Sequence, residues 1–124
     1  MYKDKATINK KKHRRIRMRI RKKLHGTQEK PRIFVRKSNR YIYAQVIDDS
    51  SHTILTAAST LEKDFRTKNK NTNNVDSSKT LGKILAKRLK DKKIKTIIFD
   101  RGLYPYHGRI KSFAEALREE GVIF

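Results

Sequence analysis

The sequence predicts a small α/β domain: a mixed β-sheet of about four strands, an antiparallel meander plus one parallel strand, with two packed helices and a basic N-terminal arm. Three observations point there. Residues 31–59 hold short β-branched and aromatic runs separated by turn residues. Residues 76–100 read as an amphipathic helix leading into an apolar run, the pattern of a crossover to a parallel strand. Residues 1–40 carry 17 Lys and Arg against two acids, Asp4 and Glu29, so positive charge is concentrated ahead of the fold.

The arm comes first. Lys10–Lys23 reads KKKHRRIRMRIRKK, close to unbroken positive charge. Ile16, Ile20 and Leu24 recur at i, i+4, i+8, a thin helical stripe. In free solution the like charges repel and the segment is expected to fray; bound phosphates neutralise it and favour helix. Gly26 and then Pro31 end it. The expected division is residues 1–29 as arm and residues 30–124 as one α/β domain.

Arg32–Arg36 is the first expected strand, and Ser38-Asn39 a turn. Tyr41–Ile47 alternates, with Ile42, Ala44 and Val46 on one face and Tyr41, Tyr43, Gln45 and Ile47 on the other. Asp48–Ser51 is a second turn, and Thr53–Ser59 the third strand. Arg66–Asn74 lacks any apolar residue and reads as an exposed loop. Leu81, Ile84, Leu85 and Leu89 then mark a helix, with Asp76, Ser77 or Ser78 available as cap. Gly82 inside it suggests close approach to the sheet. Ile94–Asp100 suits a strand buried on both faces. Ile110, Phe113, Ala114 and Leu117 mark a second helix, stopped by Gly121, and Val122–Phe124 is apolar enough to pack.

Composition narrows the function. A net charge of +21 on 124 residues calls for a large polyanion, and nucleic acid is the commonest. The apolar fraction of 35% falls below the roughly 45–50% of ordinary domains, in keeping with a solvated or partner-bound extension. With no Cys there is no disulfide scaffold, thiolate metal site or Cys nucleophile. No apolar run approaches a membrane span, and no h-region of a secretory signal is expected at the N-terminus.

The densest chemical cluster is Asp100–Arg109, DRGLYPYHGR. Arg101 and Arg109 suit phosphates, Tyr104, Tyr106 and His107 offer rings to unpaired bases, and Gly102 and Gly108 allow close approach. Arg109 and Lys111 fall near a helix start, where backbone N–H groups also hold phosphate. A purely structural loop, its rings packed on the sheet, is the alternative. Tyr41 and Tyr43, near Arg36, Lys37 and Arg40, fit either a stacking platform or a sheet face covered by a helix. Asp48, Asp49 and Asp100 are the carboxylates a metal-dependent nuclease would need, although each also suits a turn or an ion pair. His13, His25, His52 and His107 show no metal-ligand spacing, and no Walker loop is present. No catalytic residue, metal or cofactor is expected; the alternatives are a metal-dependent nuclease and a non-specific nucleic-acid-compacting protein.

The chain resembles the bacterial-type large-subunit ribosomal protein eighteen family, which binds 5S rRNA. The resemblance runs from about Lys11 through RRIRMRIRKKLHGT, PRIFVRKSNRYIYAQVIDD, TAASTLEKD and IIFDRGLYPYHGRIKSFAEALREEGVIF, in family order. It implies a structural protein that helps attach 5S rRNA to the large-subunit rRNA in the central protuberance, beside the 5S-binding protein of the numbered-five type. It implies RNA contacts from Lys11, Lys12, Arg14, Arg15, Arg17, Arg19, Arg21 and Lys22 of the arm. Further contacts are implied from Arg36, Ser38, Asn39 and Arg40 at the sheet edge, and from Arg101, Gly102, Tyr104, Tyr106, His107, Gly108 and Arg109 of the loop. Leu103 and Pro105 depart from the Gly-rich or Lys-bearing versions of that loop. A start at Met1 without a long presequence favours a cytoplasmic, bacterial ribosome, or a protein made inside an organelle.

Overall fold

The computed structural model describes residues 10–16, 18–19, 24–102 and 104–124. Residues 10–16 and 18–19 are helical. The domain that follows contains β1 (Arg32–Lys37), β2 (Ile42–Asp48), β3 (Thr53–Ser59), α1 (Lys63–Lys68), α2 (Val75–Asp91), β4 (Ile98–Asp100) and α3 (Gly108–Glu119). The sheet order is β3-β2-β1-β4.

The meander forms as the alternation predicts. β1 and β2 pair antiparallel, with Ile33 opposite Val46 and Val35 opposite Ala44. Their turn closes where the Ser38 N–H donates to Tyr41 O and the Tyr41 N–H donates to Ser38 Oγ. β3 continues antiparallel on β2, with an irregularity between Val46 and Ile47. At that second turn Asp48 accepts from the Ser50 N–H and the Ser51 hydroxyl, and His52 takes a positive φ of 55°. β4 lies parallel to β1, as the crossover through α2 requires.

Both long helices pack on one face of the sheet. Ile33, Val35, Ile42, Ala44, Val46 and Ala58 meet Leu81, Leu85, Leu89, Ile110, Phe113 and Leu117 there, every one buried. The other face carries Tyr43 and Ile47 half-buried, Gln45 and Ala57 exposed, and Ile54 at 57% exposure. Tyr41 and Tyr43, both half-buried, are in edge-to-face contact at 6.5 Å.

Four local expectations need correction. The last strand begins at Ile98, not Ile94, and lies at the sheet edge with Ile98 and Phe99 only half-buried. Lys93 leaves α2 with φ 60°, and the next residues bind the chain's C-terminal segment instead of β1: Ile97 N–H donates to Ile123 O, and Ile123 N–H to Lys95 O. The linker and exposed loop conceal α1, which inserts Phe65 into the core at 2% exposure. The α2 cap is Asn74, whose side-chain oxygen accepts from the Ser77 N–H at 2.8 Å, and not Asp76, Ser77 or Ser78. Gly82 permits approach to α3, not to the sheet: a Cβ there would lie 2.7 Å from Ala116 Cβ and 2.9 Å from Phe113 O. Of the terminal residues, Val122 is buried and Phe124 stacks on Phe99 at 5.4 Å, as expected, while the Ile123 side chain is exposed and contributes its backbone instead.

Candidate nucleic-acid interface

The site is built around one buried cation. Arg32, 4% exposed, donates from Nε and Nη2 to the two oxygens of Asp49 at 3.0 Å each. Its Nη1 donates to Asp100 Oδ2 at 2.8 Å. Each carboxylate also holds a backbone: Asp49 accepts from the Gly26 N–H at 2.7 Å and Asp100 from the Gly102 N–H at 2.8 Å. The Asp49 N–H donates back to Gly26 O. Arg32 thus ties the root of the arm to the root of the loop. Gly26 must be glycine for this, because a Cβ would sit 2.4 Å from Arg32 N. Hydrogen bonds from Arg32 hold the Asp49 carboxyl below its ordinary pKa, outweighing burial. Burial acts against the Arg32 charge, yet its two carboxylate partners leave its pKa raised.

This arrangement gives the carboxylates of the nuclease alternative other roles. A guanidinium stands where that reading needs cations between Asp49 and Asp100, and Asp48 is committed to its own turn. Among the described residues no group of three or more His, Asp or Glu is placed to hold a metal ion.

The loop after β4 folds onto the β1–β2 hairpin. The Tyr104 hydroxyl accepts from the Lys37 N–H at 3.2 Å and donates to Lys37 O at 3.1 Å, and Lys37 Nζ lies 5.1 Å from the ring centroid. Arg109 Nη1 donates to Ser38 O at 3.3 Å. Gly102 and Gly108 take positive φ of 61° and 57°, which a side chain would strain. Gly108 opens α3, whose first turn has no acid and whose preceding His107 makes no capping side-chain bond.

The hairpin and loop residues expected to touch RNA are therefore brought together. Arg36, Asn39, Arg40, Arg101, Tyr106 and His107 are exposed, while Ser38, Gly102, Tyr104, Gly108 and Arg109 are half-buried, and of these Ser38, Tyr104 and Arg109 hold the two segments in register. In the arm, Lys11, Lys12, Arg14, Arg15 and Arg19 are exposed on helix; Arg17, Arg21 and Lys22 lie outside the described residues, as does Leu103.

Sequence reasoning missed two contributors. Arg32 reads as one more basic residue until Asp49 and Asp100, both distant in sequence, are seen around it. The polar loop after α1 braces the hairpin: Thr72 donates its hydroxyl to Arg40 O and Asn73 its amide to Asn39 O.

A family model described as "Ribosomal L18 of archaea, bacteria, mitoch. and chloroplast" matches residues 6–124. Curated relatives named "Large ribosomal subunit protein uL18" match over nearly their whole length. That of Dictyoglomus turgidum is 51% identical over 112 residues, covering 90% of this chain and 92% of the relative. That of Staphylococcus saprophyticus is 49% identical over 121 residues, covering 98% and 96%. That of Thermotoga petrophila is 47% identical over 116 residues, covering 92% and 95%. These relatives are bacterial, and the family's role is structural, within the ribosome. A basic arm and a mixed sheet with a braced cationic loop are thus the features of a large-subunit ribosomal protein, and the chain belongs to the L18 family.

Proposed function

We propose that the chain binds 5S rRNA, without catalysis, and helps attach it to the large-subunit rRNA in the central protuberance, beside the 5S-binding protein of the numbered-five type. The observation that carries this reading is the mutual bracing of hairpin and loop through Arg109–Ser38 and Tyr104–Lys37. It holds together the two segments that carry Arg36, Ser38, Asn39, Arg40, Arg101, Gly102, Tyr104, Tyr106, His107, Gly108 and Arg109, the residues proposed to touch RNA. A fixed set of cations and rings can match one RNA's shape, where a flexible set matches charge alone. RNA duplex offers shape and 2′-hydroxyls more than base edges, so specific contacts fall at loops and bulges.

Residues 1–29 act as the arm and residues 30–124 as the domain. Lys11, Lys12, Arg14, Arg15, Arg17, Arg19, Arg21 and Lys22 contribute phosphate contacts at the junction with the larger rRNA. If about eight cationic contacts form, log affinity falls against log salt with a slope on the order of −5 to −7. The test is competition: labelled 5S rRNA challenged with unlabelled tRNA and duplex DNA near physiological salt. Resistance to a hundredfold excess of both supports the reading. Equal competition by all three would mean that charge alone drives binding, as in a compacting protein.

A further inference from the structure

A pocket of about 760 Å³ opens beside β4, at the sheet edge remote from β3. Ile97, Phe99 and Phe124 give it apolar walls, and Lys30, Arg101 and Arg118 give it cations. Among the described residues none of these three cations is paired with an Asp or Glu side chain. Two carboxyl groups in the lining are already engaged: Asp100 by Arg32 and the Gly102 N–H, and the terminal oxygen of Phe124 by Arg118 Nη2 at 3.3 Å, which leaves Lys30 and Arg101 as the cations with no acidic partner among the described residues. The pocket is thus apolar inside and positive at its rim.

Two further features narrow the occupant. Arg118 lies 4.3 Å over the Phe124 ring, with its Nη1 3.5 Å from the Tyr106 hydroxyl. Phe124 is itself backed by Phe99. The guanidinium plane is therefore held in place, and such planes stack on bases. The strand edge supplies the second feature. Ile98 donates its N–H inward to Pro31 O, so the alternation along β4 turns the N–H and C=O of Phe99 outward. One donor beside one acceptor matches the edge of a nucleobase. With three residues, β4 offers only that single outward residue, too little for a ladder with a polypeptide strand.

We infer that this pocket takes one unpaired nucleotide of the bound RNA. Its base lies against the Phe99 backbone and the Arg118–Tyr106 pair, and its phosphate faces Lys30 and Arg101. The inference rests on the RNA-binding reading above and adds Lys30, Phe99 and Arg118 to it.

The test measures affinity of the full chain for 5S rRNA in three variants, each checked by thermal unfolding. Tyr106→Ala and Arg118→Glu should each weaken binding about tenfold, the scale of one lost base stack. Lys87→Glu, an equal charge reversal on the exposed face of α2, should cost about threefold or less. Unchanged affinity in the pocket variants overturns the inference. An equal loss with Lys87→Glu also overturns it, since general charge then explains the effect. If the parent protein shows no preference for 5S rRNA over tRNA, the proposed function itself has failed, and that result is separate from the variant comparison.

Discussion

Arg32 and Arg14 are the same residue type in two physical situations. Arg32 is buried between two carboxylates, while Arg14 is exposed on a helix of like charges. The first cation is neutralised inside the protein and holds it together. The second is left for an external polyanion. A net charge of +21 therefore mixes cations that build the domain with cations left exposed, which the proposed function assigns to RNA, and burial sorts one from the other.

The largest effect should come from breaking the buried cluster. Arg32→Ala leaves two carboxylates facing each other without compensation, and loss of one partner in a buried pair costs about 3–5 kcal/mol. Because the Asp49 side chain is 22% exposed, a value near the lower end is expected in urea unfolding. Stability unchanged within about 1 kcal/mol would show that the cluster does not hold the domain.

Asp49→Asn should cost less, about 1–3 kcal/mol, because the amide can still accept from Gly26. It also sharpens the comparison through pH. Asp49 has its pKa lowered in the folded state by Arg32, so its contribution is present above the unfolded carboxylate pKa. That contribution is lost as pH falls through the lowered folded value. The urea midpoint of the parent should drop on acidification below about pH 4, and Asp49→Asn should flatten this dependence. Equal acid sensitivity in both proteins would assign the effect elsewhere, with Glu62 the next candidate, since hydrogen bonds from Arg88 lower its pKa.

Arg109 stands between the two extremes, half-buried and bonded to Ser38 O. Arg109→Ala should weaken 5S rRNA binding about tenfold while leaving the melting temperature within a few degrees. At the small end, Arg14→Ala should reduce affinity about twofold and leave melting unchanged, because neighbouring arm cations share its work. A loss at Arg14 equal to that at Arg109 would mean that position in the fold does not matter.

These contrasts also mark how far the sequence could be read. The meander was legible because one buried face writes period-two alternation into Ile42, Ala44 and Val46. The long helices were legible from their apolar stripes, and the parallel strand from the helix ahead of it. α1 was not, because six residues with a single apolar anchor, Phe65, carry no periodicity. The start of β4 was misplaced because Ile94–Ile97 is apolar for packing, and the C-terminal segment claims its backbone. In the site, residue types announced the loop and the arm. Their bracing came from backbone acceptors, such as Ser38 O and Lys37 O, which no side-chain pattern reveals. Asp49 and Asp100 read in the sequence as turn or pairing residues, with catalysis the lesser alternative, and their shared partner Arg32 could not be read there.

The central claim is a division of labour: exposed arm cations supply affinity, and the braced loop supplies selectivity. The most direct measurement compares the full chain with a version lacking residues 1–23, each bound to labelled 5S rRNA and challenged by duplex DNA across a salt series. The shortened protein should bind more weakly, with a shallower salt slope, and still prefer 5S rRNA to duplex DNA. If the preference disappears with the arm while the domain stays folded, selectivity resides in the arm and the division drawn here is wrong.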